Sequence, residues 1–267
     1  MTLEGTAAVY RGRDRSWRSS GDLETGKGIE GGEKARVLPL DLKNPKAHSK
    51  TMKQITTLVI ALASGVMPLF ADHHELPKPD KDGWITLFNG KDLAGWDGNP
   101  DIWRVKDGYI SGHVARLQGG NTFLIYKHPF ANFELEAEWI LVDGKGNSGI
   151  QVRSKQSANG ANKWVVSGYQ ADIGNGWYGK LYEEKGRGLL AGKYKNKPTI
   201  KKDNGWNKYR ITANGSKLTQ ELNGVVAIEF DDKDAKKAAK EGIIALQYHS
   251  PGGFEVRFRN IRIKLLK

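Results

Sequence analysis

The feature that most constrains the fold is a period-two alternation of apolar and polar residues, which runs through most of the chain after Ile85. It is clearest in Phe133–Trp139, FELEAEW, where apolar residues alternate with three glutamates. In an extended strand this spacing places the three carboxylates on one face and the apolar side chains on the other. Two Asn-Gly pairs, Asn214-Gly215 and Asn223-Gly224, separate further alternating runs, and such pairs are a strong hairpin signal. The pattern therefore predicts an antiparallel sheet protein with a three-stranded meander over 209–230.

The remaining elements complete this prediction. The FELEAEW run and SGIQVRS flank a turn at 143–147, and a hairpin there places Glu138 opposite Gln151 and Glu136 opposite Arg153. Residues 231–240, DDKDAKKAAK, begin with acids and end with lysines, a charge order that suits a short helix. Two strands follow at 242–250 and 254–266, with a bulge at Asn260. We expect an all-β fold, a two-sheet antiparallel jelly-roll sandwich with one short helix.

Composition excludes several classes of function. The chain has no cysteine, which excludes disulfide scaffolds, cysteine-ligated zinc and thiol nucleophiles. The net charge of +12 suggests a nucleic-acid partner, and 72–267 alone keeps 31 basic against 23 acidic residues. These charges are scattered along strands and loops without a nucleic-acid-binding motif, so a solvated basic surface is the better interpretation and no nucleic acid is expected.

The N-terminal quarter of the chain contains a targeting signal. Residues 52–71 combine Lys53, an apolar run from Ile55 to Phe70, and the small residue Ala71 before a polar segment. The run is too short for a membrane span and contains Pro68. We expect a cleaved signal peptide at 52–71, a short flexible linker at 72–82, a single β-sandwich domain at 83–267, and a periplasmic or secreted protein without a stable membrane span. Residues 1–51 are polar and aperiodic, and are expected to be untranslated or disordered.

The second face of the predicted strands is rich in large hydrogen-bonding side chains. Four strands each carry a pair at i and i+2, namely Gln151 and Arg153, Gln170 and Asp172, Gln247 and His249, and Arg257 and Arg259. If several of these strands are neighbours, one sheet presents a continuous polar surface, which is where we expect a binding site.

A glycine-rich segment extends this candidate site. The strand that carries Gln170 and Asp172 leads into residues 174–188, which contain aromatic and charged side chains at close spacing. Loops with this composition often cover a site. Flat aromatic rings suit the C–H faces of sugars, and charged groups suit hydroxyls and carbonyls. A self-packed surface loop is the alternative.

No standard catalytic signature is present, so catalytic candidates come from the titratable side chains. Glu136 and Glu138 lie one strand repeat apart, about 7 Å, a spacing that glycosidases use. A salt-bridged solvent face is the more frequent explanation of such a pair, so the pair alone does not indicate a catalytic site. His249 has the chemistry of a proton carrier, although a lone histidine on a polar strand is more often structural.

Several blocks of the chain resemble the 3-keto-disaccharide hydrolase domain family over about Gly83–Leu266. They are GWITLFNGKDLAGW, DIWRVKDGYISG, NFELEAEW followed by NSGIQVRS, GYQADIG with GKLYEEKGRG, and LQYHSPGGFEVRFRNIRIKLL. The resemblance implies a concanavalin A-like jelly roll and a secreted protein acting on carbohydrate. Many members have Glu where Gln170 stands, whereas this chain has its acid at Asp172.

The resemblance also implies a reaction, the cleavage of 3-keto-glycosides. A ketone at C3 acidifies the hydrogen at C2, so a base can remove it and the glycosidic oxygen at C1 leaves by elimination. Asp172 or Glu138 is the expected base and His249 the expected acid. Arg153, Lys180 or a divalent cation would stabilise the enolate. The expected substrate-binding residues are Arg153, Gln170, Trp177, Lys180, Tyr182, Glu183, Arg187 and Gln247.

Two other functions fit the same sequence. The fold, aromatic residues and polar face also suit a non-catalytic carbohydrate-binding module. A structural or adhesive domain of the cell envelope is the third interpretation. The metal, the sugar and the oligomeric state are not fixed by the residues.

Overall fold

A computed structural model describes residues 75–157, 162–201 and 203–267. In this part of the chain the alternating runs form fifteen β-strands and one 3₁₀ turn, η1 (Val142–Gly144). The predicted extension at 1–51, the signal peptide at 52–71 and the first three residues of the predicted linker lie outside the described residues. The strands begin at Trp84 and end at Leu265, and no described helix is long and apolar enough to cross a membrane.

The strands form two antiparallel sheets. The first sheet has the order β13-β12-β11-β6-β15-β4-β3, and β1 also pairs with β15. Its strands are β1 (Trp84–Thr86), β3 (Trp103–Lys106), β4 (Tyr109–His113), β6 (Phe133–Leu141), β11 (Asn207–Asn214), β12 (Lys217–Leu222), β13 (Val225–Asp231) and β15 (Glu255–Leu265).

The second sheet has the order β10-β9-β8-β7-β14-β5-β2. Its strands are β2 (Trp96–Asp97), β5 (Thr122–Phe130), β7 (Asn147–Gln156), β8 (Val166–Gly174), β9 (Leu181–Glu184), β10 (Gly188–Ala191) and β14 (Gly242–Tyr248).

One apolar core lies between the two sheets. Trp139, Tyr209 and Phe258 enter it from the first sheet, and Tyr169 and Leu246 enter it from the second. Burial of large side chains from both inner faces is the main favourable contribution to folding and holds the sheets together. The predicted all-β, two-sheet antiparallel jelly-roll sandwich is confirmed.

The meander and the bulge form where the sequence predicts them. Asn223 and Gly224 both have positive φ (52° and 81°) and join β12 to β13 in the manner of a type I′ turn. At the other hairpin Asn214 still pairs with Lys217, so the two-residue turn begins at Gly215. Asn260, at φ 50°, sits where the β15–β6 register shifts, which is the predicted bulge.

The predicted helix at 231–240 is wrong. Asp231 ends β13, and the following residues form turns in which only the Lys237 and Ala238 amides make helix-type hydrogen bonds, both to the Asp234 carbonyl. The side chain of Asp232 is held by Arg187 and Tyr169. A short polar segment nucleates a helix poorly, and these contacts favour another conformation.

The predicted hairpin between FELEAEW and SGIQVRS is also wrong. β6 lies between β11 and β15 in the first sheet, whereas β7 lies between β8 and β14 in the second. The connection crosses from one sheet to the other through η1, with Asp143 at φ 56°. Alternation gives each strand an inner and an outer face in both cases, so it does not distinguish a hairpin within one sheet from a connection between the two sheets. Glu138 is therefore not opposite Gln151.

Candidate active site

The outer face of the second sheet carries the predicted polar side chains in register. Asp172 on β8 lies opposite Gly149 on β7, and Gln170 lies between Gln151 on β7 and Tyr182 on β9. Their neighbours along each strand, such as Tyr169 and Ala171, point into the core. Period-two geometry therefore directs the amides and the carboxylate away from the core, as the sequence predicts.

These side chains form a hydrogen-bonded row that ends at Asp172. The Ser154 hydroxyl is 2.7 Å from the Gln151 side chain, whose amide is 2.8 Å from that of Gln170. The Gln170 amide donates to Asp172 Oδ1 at 2.6 Å. All four residues are buried. A Cβ on Gly149 would lie 2.5 Å from Gln170 Cγ and Cδ, so glycine is what allows Gln170 to lie across β7. The row fixes the position of the carboxylate.

Contacts across the sheet show that this face is concave. Gln247 on β14 donates to Glu184 Oε2 on β9 at 3.2 Å, although β7 and β8 lie between these two strands. Asn121, immediately before β5, donates to Glu184 Oε1 at 3.4 Å. Side chains from strands so far apart meet only if the sheet curls around them. We call the resulting surface the polar cleft; it comprises Gln151, Gln170, Asp172, Glu184, Gln247 and His249.

The two carboxylates of the polar cleft have raised pKa values. Burial raises the pKa of Asp172 to about 7, and the charge of Glu184 adds to the rise, while the Gln170 hydrogen bond and the Lys180 charge oppose it. Burial also raises the pKa of Glu184, against the hydrogen bond from Asn121 and the charge of His249. A carboxyl that titrates near neutrality can exchange protons with a substrate.

Two buried oxygens in the polar cleft lack a hydrogen-bond partner among the described residues. They are Asp172 Oδ2 and Gln247 Oε1, on residues that are 4% and 0% exposed. Buried polar atoms are normally paired, because an unpaired one costs free energy. Each of these oxygens is therefore free to accept a hydrogen bond from a donor that enters the polar cleft.

An aromatic platform adjoins Asp172. The rings of Trp177 and Tyr182 meet edge to face, with centroids 6.1 Å apart, and Lys180 Nζ lies 5.0 Å from the centre of the Trp177 ring. Trp177 is 37% exposed, so part of its ring is accessible to a bound molecule. The predicted grouping of Trp177, Lys180 and Tyr182 beside Asp172 is therefore what the fold produces.

The turn that carries this platform is fixed from the core. The Tyr209 hydroxyl donates to the Asp172 carbonyl at 2.6 Å and accepts from the Gly179 amide at 2.8 Å. Tyr178 stacks on Trp139, with ring centroids 5.6 Å apart. A buried phenol from the first sheet thus closes the base of the turn between β8 and β9.

The segment after β8 does not cover the site as a loop. Leu181–Glu184 is strand β9, which extends the second sheet, and Leu181 points into the core. Alternation then sends Tyr182 and Glu184 to the polar cleft and Glu183 to the inner side.

Glu183 and Arg187 lie outside the polar cleft, contrary to the prediction. Arg187 pairs with Glu183 at 2.7 Å and with Asp232 at 2.5 Å, and Asp232 accepts from the Tyr169 hydroxyl at 2.5 Å. These contacts tie β8 and β9 to the segment after β13. Their geometry is that of a structural ion-pair network.

Arg153 also lies away from the predicted surface. It sits in the irregular part of β7 with φ 46°, which breaks the alternation that would have placed it beside Gln151. Its buried guanidinium donates to the carbonyls of Ala131, Gly215 and Ala239. The enolate-stabilising position expected for Arg153 is wrong.

Glu138 lies on the outer face of the first sheet, where it pairs with Arg259 at 2.7 Å. It belongs to a different sheet from Asp172, so the expectation that both face one site is wrong. Arg257 and Arg259 likewise belong to the first sheet. A separate cavity of about 1100 Å³, lined by Trp139, Tyr178 and Asn204 among others, contains none of the predicted site residues.

Reasoning from the sequence missed Glu184 and Asn121 as site residues. Alternation within LYEE contains the signal for Glu184, since an inward Leu181 requires Glu184 to face outward. No local signal identifies Asn121, which depends on the curl of the sheet. In the described part of the chain, no group of three or more His, Asp or Glu side chains is placed to hold a metal ion. The divalent cation stays a prediction.

Comparisons with known proteins identify the family of this chain. A family model described as the 3-keto-alpha-glucoside-1,2-lyase-like domain matches residues 83–264. A 3-keto-disaccharide hydrolase of Bacteroides thetaiotaomicron is 31% identical over 244 residues, which cover 73% of this chain and 82% of that protein.

Solved structures show a similar fold. Two candidate glycosyl hydrolases from Parabacteroides distasonis align with this chain. One has a TM-score of 0.53 at 20% identity, covering 72% of this chain and 100% of that one. The other has a TM-score of 0.51 at 24% identity, covering 68% and 99%.

Proposed function

The chain belongs to the 3-keto-alpha-glucoside-1,2-lyase-like domain family, and from this membership and the polar cleft we propose that it cleaves the glycosidic bond of 3-keto-glycosides. The observation that carries the proposal is Asp172, a buried carboxyl whose pKa is raised to about 7, held by Gln170 beside an exposed aromatic platform. The named relative from Bacteroides thetaiotaomicron supports the substrate class.

The first step is proton transfer from C2. Asp172 takes the C2 proton, and the C–H electron pair forms a C2–C3 double bond as the C3 carbonyl becomes an enolate. Unpaired Oδ2 of Asp172 is the atom that receives the proton. Lys180, whose charge acts on Asp172, stabilises the negative oxygen.

The second step expels the leaving group. The enolate re-forms the C3 carbonyl, a C1–C2 double bond appears, and the C1–O bond breaks. The departing oxygen takes a proton from the pair Glu184 and His249, whose charges interact. Addition of water across the new double bond gives the free 3-keto sugar, so elimination and hydration together amount to hydrolysis. Without the water step, the enzyme would be a lyase.

The test compares two substrates and three proteins. Wild type should release the leaving group from a 3-keto-glucoside and not from the unoxidised glucoside. Asp172→Asn should lower the rate by about 10²–10⁴-fold, the usual contribution of a general base. Glu138→Gln, a carboxylate of the first sheet, is the matched control and should keep full activity. Cleavage of both substrates would indicate an ordinary glycosidase, and binding without cleavage a carbohydrate-binding module.

Export of the protein is a second part of the proposal. The signal-like segment at 52–71 supports periplasmic or secreted location, with Met52 as the initiator. Mass spectrometry of the native N-terminus should find Asp72 as the first residue. A peptide from residues 1–51 in the native protein would contradict the proposal that Met52 is the initiator.

A further inference from the structure

A cationic cavity borders the polar cleft. It has a volume of about 930 Å³ and is lined by strands β7, β8 and β9 and by the segment after β13. Glu184 belongs to both surfaces, because it lines the cavity while its carboxylate accepts from Gln247 and Asn121 in the polar cleft. Glu184 therefore lies at the border between the polar cleft and the cavity.

The positive charge of this cavity is not neutralised by the protein. Its lining includes five lysines, and none of them forms an ion pair with a described residue. They are Lys155, Lys185, Lys236, Lys237 and Lys240. With Arg153 and Arg187 the lining has seven basic residues against three acidic ones, Glu183, Glu184 and Glu241, and Glu183 is already paired with Arg187. The cavity therefore has an excess of cations.

The buried guanidinium of Arg153 adds a second observation. Arg153 lines the cavity, is 2% exposed, and donates to backbone carbonyls and to Asn132 Oδ1, with no carboxylate partner among the described residues. A buried charge without a counter-ion is costly, because carbonyl dipoles compensate it only in part. An anion in the cavity would supply the missing charge.

We propose that this cavity binds an anionic substituent of the substrate's leaving group, a carboxylate, sulfate or phosphate. The inference rests on the proposed function. From Gly168 at the cavity to Asp172, four residues of extended β8 span about 13 Å, the scale of a two-ring molecule. The sugar lies at Asp172 and the aromatic platform, and the leaving group extends past Glu184 to the lysines.

The kinetic test uses two 3-keto-glucosides that differ at one group, with a 4-(carboxymethyl)phenyl or a 4-(carbamoylmethyl)phenyl leaving group. Wild type should prefer the carboxylate by about tenfold in kcat/KM, as expected for one or two charge-assisted hydrogen bonds. The triple variant Lys236→Gln, Lys237→Gln, Lys240→Gln should lose this preference and keep its activity on the amide. The control replaces Lys81, Lys91 and Lys106, all exposed and outside the cavity, by Gln and should keep the preference.

A binding arm separates this inference from the proposed function. Titration with 4-hydroxyphenylacetate, inorganic sulfate and inorganic phosphate, followed by NMR of the lysine side chains, should shift signals of the cavity lysines and identify the anion preferred. Equal kcat/KM for both substrates in wild type would overturn the inference and leave the proposed function intact. If neither substrate is cleaved, the proposed function fails, and the titration alone decides: shifted lysine signals support the cavity, and unshifted ones overturn it.

Discussion

Asp172 is placed where its charge is costly. Burial and the neighbouring Glu184 raise its pKa from 3.8 to about 7, so the native state holds a proton that the unfolded chain releases at lower pH. A group with a raised native pKa stabilises the fold below its unfolded value, and this contribution is lost as the pH rises from about 4 to 7. Asp172 thus lowers the stability of the fold in the pH range where we propose that it acts as a base.

Asp172→Asn should remove this pH dependence. At pH 8 the variant should be more stable than wild type by up to about 4 kcal/mol, the free energy equivalent of the shift. At pH 4 the two proteins should be similar. Urea unfolding at both pH values measures the difference, and equal stability at pH 8 would show that the carboxylate is not strained by its surroundings.

Glu184 should control the pH at which Asp172 works. Because its charge raises the pKa of Asp172, Glu184→Gln should move the rising limb of the kcat/KM profile from near pH 7 to lower pH. The shift is expected even if the maximal rate falls through loss of a proton donor. If the rising limb of the kcat/KM profile stays at the same pH, the charge of Glu184 does not act on the pKa of Asp172.

At the scale of the elements, the turn between β8 and β9 depends on a hydroxyl from the other sheet. Tyr209→Phe removes the phenol from the Asp172 carbonyl and the Gly179 amide, which keep only the 3.2 Å hydrogen bond between them, and it should cost about 0.5–1.5 kcal/mol of stability. Because the same turn carries Trp177 and Lys180, KM should also rise.

Tyr109→Phe is the matched control, since Tyr109 is buried at the start of β4 on the first sheet and contacts its described neighbours Trp206 and Arg257 through its ring. Tyr109→Phe should change neither the stability of the protein nor KM. If Tyr209→Phe raises KM no more than the control does, the turn does not position the platform.

The strands also show which structural features can be predicted from the sequence. Alternation predicts the outward direction of Gln170, Asp172 and Gln247, because period two is a property of each strand alone. It fails at Arg153, where an extra residue in β7 changes the parity. It also fails to assign strands to sheets: Glu138 and Asp172 have the same pattern and lie on different sheets. Pairing between distant strands depends on the whole core.

At the scale of the molecule, the two outer faces use acidic residues in opposite ways. On the first sheet, buried Glu136 is held by Lys208, Arg210 and Arg262 at 2.7–2.9 Å, and despite its burial these cations lower its pKa to about 2. On the second sheet, Asp172 has an unpaired oxygen and a raised pKa. The first arrangement stabilises the fold, and the second suits the proton transfer that we propose for Asp172.

Glu136→Gln should therefore destabilise the protein without affecting catalysis. The contribution of Glu136 is present above pH 4.5 and is lost as the pH falls towards 2, because its native pKa is lowered. We expect a loss of about 2 kcal/mol at pH 7, reduced by solvent screening of the half-exposed cations. Thermal unfolding measures the loss of stability, and kcat/KM measures catalysis. A loss of activity in the folded variant would contradict the prediction that the outer face of the first sheet takes no part in catalysis.

The most direct test of the account is the isotope effect at C2. Wild type should cleave a 3-keto-glucoside carrying deuterium at C2 more slowly than the protonated substrate, because Asp172 breaks that bond in the step we propose. The same comparison with deuterium at C1 should show no primary effect. Equal rates for the C2-labelled and unlabelled substrates under single-turnover conditions, where product release does not limit the rate, would contradict proton abstraction by Asp172.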